Sequence, residues 1–206
     1  MVRGSRIFGY VAALAAGAML CALPAKAQYS QQYQFLQAVE DKDGEKIVEL
    51  LSAPGSTLVN SRDLTSGEAG LHIVVRRRDL LWTRFLIQQG ANPNIRDNDG
   101  VTPLVVAAQL GFAEGVNALI NAGARVDIPN DTGETPLIFA VHTRNVAIMR
   151  LLLRAGADPD RSDNSGRTAR DYAELDGPNS QLLAEIEENA RPTSEREGAS
   201  TYGPSF

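Results

Sequence analysis

The stretch that decides the fold is Asp-Asn-Asp-Gly-Val-Thr-Pro-Leu at residues 97–104. It returns 33 residues later, at residues 130–137, as Asn-Asp-Thr-Gly-Glu-Thr-Pro-Leu. The polar residues and glycine predict a tight turn, because glycine accepts positive φ and Asp or Asn bonds its own backbone. Thr102 and Thr135 are then expected as helix N-caps, with proline at the first helical position. Each copy therefore predicts a turn followed at once by a helix.

The 33-residue period extends in both directions along the chain. One series of glycines precedes the start of each first helix and a second series follows each second helix: Gly67, Gly100, Gly133 and Gly166, then Gly90, Gly123 and Gly156. Apolar residues at helical spacing lie between the two series, so each unit predicts a second helix that its glycine ends in a left-handed conformation. Gly111 is expected to end a first helix. Arg78 and Arg144 occupy its position in neighbouring units, which predicts backbone strain there.

This pattern, with Ala-Ala, Leu-Leu and Gly-Ala-Asp at fixed places in the unit, resembles the ankyrin repeat. The resemblance implies an all-α solenoid of helix-turn-helix units with short β-turn hairpins and about five repeats, including atypical terminal caps. The five units are expected at about residues 32–64, 65–96, 97–129, 130–162 and 163–189. The first unit lacks Thr-Pro-Leu and has extra residues around 52–59, and the last unit is acidic. Polar terminal units are expected in a solenoid, because its end faces are exposed to water. In the second unit Ala69 replaces the capping Thr, at an expected cost of roughly 0.5–2 kcal/mol.

The two ends of the chain are expected to lie outside the repeat domain, which we place at residues 28–189. Arg3 and Arg6, the apolar stretch 11–20 and Ala25-Lys26-Ala27 predict a Sec-type signal peptide cleaved after Ala27. The product would be periplasmic or secreted, without a membrane anchor; an uncleaved N-terminal anchor is the alternative. Cleavage would remove the only cysteine and leave a net charge of −8. The polar segment 190–206 is expected to be disordered.

Composition and side-chain chemistry argue against several functions. Of the 206 residues 43% are hydrophobic and 22% are charged, and this hydrophobic fraction is too high for a wholly disordered chain. The net charge of −5 disfavours general binding of nucleic acid. We predict no catalytic residues, metal site or cofactor, since the histidines have no partners for such chemistry. The resemblance implies an internal hydrogen-bonding role for His72, whereas His142 is expected at a helix end. A hydrolase with a carboxylate site near Asp171, Glu174 and Asp176 is the catalytic alternative.

The resemblance implies that the concave face, built from first helices and turn tips, binds another protein. Aligning the first helices at the 33-residue step gives the predicted partner-binding residues: Ile73, Arg76, Arg77, Val106, Gln109, Leu110, Phe112, Phe139, His142 and Tyr172. Aromatic residues and arginines are enriched at interface hot spots, and the cluster 76–78 could steer an acidic segment. Alternatively, the apolar row packs between repeats and the arginines form a solvated helix end. The predicted function is a non-catalytic scaffold, holder or inhibitor in the cell envelope; an exported effector or immunity-type protein is the alternative.

Overall fold

The computed structural model describes residues 23–53, 55–175, 177 and 180–190, and describes side chains from residue 31 onward. Most of the predicted signal peptide and nearly all of the predicted disordered tail therefore lie outside the described residues. The first helix, α1, spans Leu23–Asp41 and so includes the residues around the predicted cleavage site. Cleavage remains a prediction.

Ten α-helices lie in the described part of the chain, two in each predicted unit. After α1 they are α2 (Gly44–Leu51), α3 (Gly70–Arg76), α4 (Leu80–Gln88), α5 (Pro103–Gln109), α6 (Ala113–Asn121), α7 (Pro136–His142), α8 (Val146–Arg154), α9 (Ala169–Glu174) and α10 (Gln181–Asn189). The long loop of unit one carries a 3-10 turn, Leu58–Asn60. The expected hairpins contain two isolated β-bridges, Arg62 with Ala69 and Ser162 with Thr168. The predicted all-α repeat architecture is confirmed.

Local sequence explains where the first helices begin. The Thr102 hydroxyl accepts a hydrogen bond from the Val105 N–H at 3.3 Å, and proline follows at the first helical position. Thr135 caps α7 in the same way. In the turn before α5, the Asp97 carboxylate accepts hydrogen bonds from the N–H groups of Asp99 and Val101, at 3.0 and 2.8 Å. The predicted turn and cap are therefore both present.

The helices stack into two rows that enclose one hydrophobic core. The first helices pack in the order α1, α3, α5, α7, α9, and the second helices α4, α6, α8 and α10 form the other row. Ala107 and Ala108 are fully buried, and their small side chains allow neighbouring helices to approach closely. Leucines such as Leu104 and Leu137 are at most 1% exposed. Burial of each such side chain contributes about 1.5–3 kcal/mol to the free energy of unfolding. The two helices of a unit pack on each other and on the neighbouring units, so that the buried residues of the described units form one continuous core.

Side-chain amides join successive turns. The Asn98 amide donates to the Thr65 carbonyl at 2.8 Å, and the Asn164 amide donates to the Asp131 carbonyl at 2.9 Å. Asn94 makes two such bonds, donating to the Gly123 carbonyl and accepting from an N–H of the following unit. These bonds fix the register of one unit on the next.

The acidic last unit is less solvent-exposed than its composition predicts. Glu185 of α10 is 5% exposed and accepts two hydrogen bonds from the Arg150 guanidinium of α8, at 2.8 and 2.7 Å. Its carboxylate also accepts from the Asn189 amide. The interaction with Glu185 raises the pKa of Arg150. This ion pair joins unit five to unit four, while Glu187 and Glu188 remain exposed.

Among the residues that the structure describes, three that are not glycine lie in the left-handed region, each between two helices. Arg78 and Arg144 have φ of 54° and 52°, as their alignment with Gly111 predicts, and Lys42 has φ of 58°. We expect Lys42→Gly to raise the free energy of unfolding by about 0.5–1 kcal/mol, because glycine adopts this conformation without the Cβ penalty. Urea unfolding measures the change. Lys42→Ala is the control: it removes the side chain but keeps Cβ, so an equal gain from alanine would contradict a backbone origin.

Candidate functional site: the exposed face of the first helices

The candidate site is the exposed side of α3, α5, α7 and α9 together with the turn residue before each cap; we call it the first-helix face. In unit two Glu68, which precedes the cap, forms an ion pair with Arg76 at the end of α3. The same two positions in unit four hold Glu134 and His142, whose Oε1 and Nδ1 atoms are 3.7 Å apart. Turn and helix end therefore face each other across this surface.

Three predicted partner-binding residues belong to the core instead. Ile73 and Val106 are 5% and 8% exposed, because the stacking of successive first helices covers them. Phe112 is the N-terminal residue bordering α6, where its ring lies against Gly115 and is buried. The prediction that these three side chains line a free surface is corrected: packing between repeats, the alternative for the apolar row, describes Ile73 and Val106, and Phe112 is buried beside its own helix α6.

The three consecutive arginines of unit two are engaged within the protein. Arg76 pairs with Glu68. Arg77 donates to the Val39 and Glu40 carbonyls at 2.6 and 2.9 Å, at the C-terminal end of α1, where a cation is favourable. Arg78 donates to the Leu110 carbonyl at the end of α5. The cluster therefore connects units one, two and three, which limits the charge it offers to a partner.

An aromatic cluster lies on the same face in units four and five. The His142 ring packs edge-on against Tyr172, with centroids 4.4 Å apart, and against Phe139 at 6.5 Å. Phe139 and Tyr172 are half-buried and His142 is exposed. Since Phe139 and His142 come from α7 and Tyr172 from α9, stacking of the two units brings the three rings together.

Hydrogen bonds fix the orientation of Tyr172. Its hydroxyl donates to the Asp163 carboxylate at 2.7 Å, and this bond, with further bonds from Ser165 and Arg167, holds the pKa of Asp163 well below its usual range. Asp163 is thus ionised at neutral pH. The Arg167 guanidinium lies over the Tyr172 ring, 5.8 Å from its centroid. These contacts within the chain hold the ring in one orientation.

The remaining residues of the face lie on either side of the cluster. Gln109, the last residue of α5, is exposed and aligns with His142, and Leu110, which follows it, is half-buried. Leu175, at the end of α9, is 71% exposed. Glu134, Arg167 and Leu175 were not among the predicted partner-binding residues. Applying the 33-residue step to the residue before each cap identifies Glu134 and Arg167 from the sequence.

The second histidine of the chain, His72, lies in the interior rather than on the first-helix face. His72 is fully buried: its Nδ1 accepts from the Ala69 N–H at 3.1 Å and its Nε2 lies 3.0 Å from the Val101 carbonyl. The internal role predicted for this histidine is confirmed, and it supplies a bond to Ala69, which has no capping side chain.

Within residues 23–53, 55–175, 177 and 180–190, His, Cys, Asp and Glu side chains form no group of three arranged to bind a metal ion. No helix in this part is long and apolar enough to span a membrane.

Comparison with known proteins identifies the repeats. Family models described as "Ankyrin repeats (3 copies)" and "Ankyrin repeats (many copies)" match residues 35–130 and 119–173, together about two thirds of the chain. An ankyrin repeat protein of fowlpox virus (strain NVSL) is 42% identical over 59 residues, covering 29% of this chain and 17% of that protein. Oxysterol-binding protein homolog 1 of Saccharomyces cerevisiae is 31% identical over 74 residues, covering 34% of this chain and 6% of that protein. The chain therefore spans a small part of the length of both relatives.

Proposed function

Because the chain belongs to the ankyrin repeat family, we propose that it binds another protein through the first-helix face, as a non-catalytic scaffold, holder or inhibitor in the cell envelope. Ankyrin repeats indicate a protein–protein interaction module. The observation that carries the proposal for this face is the Phe139–His142–Tyr172 cluster, which combines accessible aromatic surface with fixed geometry. A preorganised surface loses little conformational entropy on binding.

The carboxylates of unit five favour a non-catalytic role. Asp171 accepts hydrogen bonds from the N–H and hydroxyl of Thr168, both at the start of α9. These bonds lower its pKa, whereas a general acid needs a raised one. Glu174 is exposed, and Asp176 lies outside the described residues. The hydrolase alternative therefore has less support than binding.

Location in the envelope rests on the predicted signal peptide. Cell fractionation, followed by N-terminal sequencing of the purified protein, tests it: the proposal expects a periplasmic product that begins at Gln28. Recovery from the culture medium would favour the exported effector or immunity-type alternative. A product that starts at Met1 and stays with the membrane would favour an anchor.

Partner binding is tested by crosslinking and pull-down from a native envelope extract. We expect the wild type to retain a specific protein, and the double variant His142→Ser, Leu175→Ser to retain roughly tenfold less, since both side chains are exposed on the first-helix face. The matched control is Leu81→Ser, Gln88→Ser, which truncates two exposed residues of α4 and likewise adds no charge. Circular dichroism confirms folding of each variant. Equal retention by the first variant and the control would contradict binding at this face.

A further inference from the structure

We propose that the partner presents a basic segment, an Arg or Lys side chain beside an apolar one, to the surface formed by Phe139, His142, Tyr172 and Leu175. We call this surface the aromatic patch. The inference rests on the proposed protein-binding function and specifies the chemistry of the partner. It reverses the sequence-based expectation of an acidic segment bound by arginines.

The charge of the repeats changes along the stack. Residues 32–96, units one and two, carry eight acidic and eight basic side chains. Residues 130–189, units four and five, carry eleven acidic and six basic side chains. The aromatic patch therefore lies in the acidic half of the domain, which attracts a basic segment and repels an acidic one.

The basic residues of this half are partly neutralised by pairs within the chain. Arg150 is paired with Glu185, and Arg170 donates to Asp160 at 2.8 Å. Two carboxylates contact the patch itself: Asp163 accepts from the Tyr172 hydroxyl, and Glu134 lies beside His142. The aromatic patch is thus bordered by negatively charged side chains of the turns that precede α7 and α9.

One guanidinium of the chain itself already lies over a ring of the aromatic patch. Arg167 lies over the Tyr172 ring at 5.8 Å from the centroid, a distance at which a cation is attracted to the face of the ring. The ring is held by its hydroxyl bond to Asp163, so a cation of the partner that takes the place of Arg167 would meet a fixed surface. Leu175, 71% exposed, provides apolar contact next to it.

The basic end of the first-helix face does not offer an equivalent site for an acidic segment. Arg76 is paired with Glu68, and Arg77 and Arg78 donate to backbone carbonyls of units one and three. An acidic partner would have to compete with these interactions. Charge complementarity therefore favours a basic segment at the aromatic patch.

Selection of phage-displayed random dodecapeptides on the immobilised full chain tests the inference. We expect enriched peptides to contain Arg or Lys next to Leu, Phe or Tyr. A synthetic copy of the most enriched peptide, measured by fluorescence anisotropy, should bind more weakly as NaCl rises from about 50 mM to about 500 mM.

Two variants locate the binding. Tyr172→Leu and Glu134→Gln should each weaken binding of the synthetic peptide by about fivefold. Glu68→Gln, the same substitution at the equivalent position of unit two, is the control and should leave it unchanged. Glu134→Gln preserves side-chain shape, so it remains informative if Tyr172→Leu lowers stability.

Several outcomes overturn the inference. These are enriched peptides that are acidic or lack Arg and Lys, equal binding by wild type and both variants, or no enrichment at all. The pull-down from envelope extract decides the proposed function separately: a protein retained there through the first-helix face supports that function even when the basic-segment inference fails.

Discussion

Gly133→Ala is expected to lower the free energy of unfolding by about 3 kcal/mol or more, because the added methyl group would strain the backbone at this position. Gly133 has φ of 83°. A Cβ at this position would lie 2.6 Å from the backbone nitrogen of Asn164 and 2.9 Å from the Asp163 carbonyl carbon. These are backbone atoms of the next turn, so the contact can be relieved only by separating unit four from unit five.

Gly166→Ala is the matched control. Gly166 occupies the same position in the next turn and has the same φ of 83°, but a Cβ there would meet nothing within 4 Å. Its expected cost is therefore that of the left-handed conformation alone, about 1–2 kcal/mol. Urea unfolding of both variants gives the comparison. Equal losses would show that close approach of the turns contributes nothing at Gly133.

His72→Leu is expected to lower the free energy of unfolding by roughly 2–4 kcal/mol. The variant leaves the buried Ala69 N–H without its acceptor, which costs about 1–3 kcal/mol, and removes the bond to the Val101 carbonyl of the next unit. The Val101 carbonyl still accepts from the Asp97 N–H at 2.9 Å, so only one buried group is orphaned. The loss is measured by chemical unfolding at pH 8. A change below about 0.5 kcal/mol would contradict the proposed role of His72.

The same histidine is expected to make stability depend on pH. Burial lowers the pKa of His72 in the folded protein, and its Nδ1 accepts a bond that protonation would break. In the unfolded chain His72 takes up a proton near pH 6.5. The stability that neutral His72 gives the folded protein is therefore complete above that pH and is lost as the pH falls below it. The carboxylates with lowered pKa, such as Asp163, act in a separate window, below about pH 4.

Unfolding in urea between pH 8 and pH 5 tests this dependence. A His142→Gln background makes His72 the only histidine. We expect stability to decline below about pH 6.5 in that background, and the decline to disappear when His72→Leu is added. A decline of the same size in both proteins would assign the pH dependence to other groups.

The composition of the first-helix face was only partly predictable. Gln109, His142 and Tyr172 lie on the first-helix face as the 33-residue alignment places them, whereas Ile73 and Val106 are covered by neighbouring helices. The alignment gives the position of a residue along its helix. How far it is covered depends on the size of the side chains in the adjacent unit, which alignment of one unit on another does not specify.

The sequence by itself determined the repeat, its period, and the starts and ends of its helices. These depend on turn and cap chemistry within a few residues, as at Asp97 and Thr102. Only the tertiary structure decided which side chains pair between units: Arg77 with the end of α1, Glu185 with Arg150, and His142 with Tyr172. The physical reason is range, because each of these contacts joins residues at least thirty positions apart, and stacking of the units brings them together.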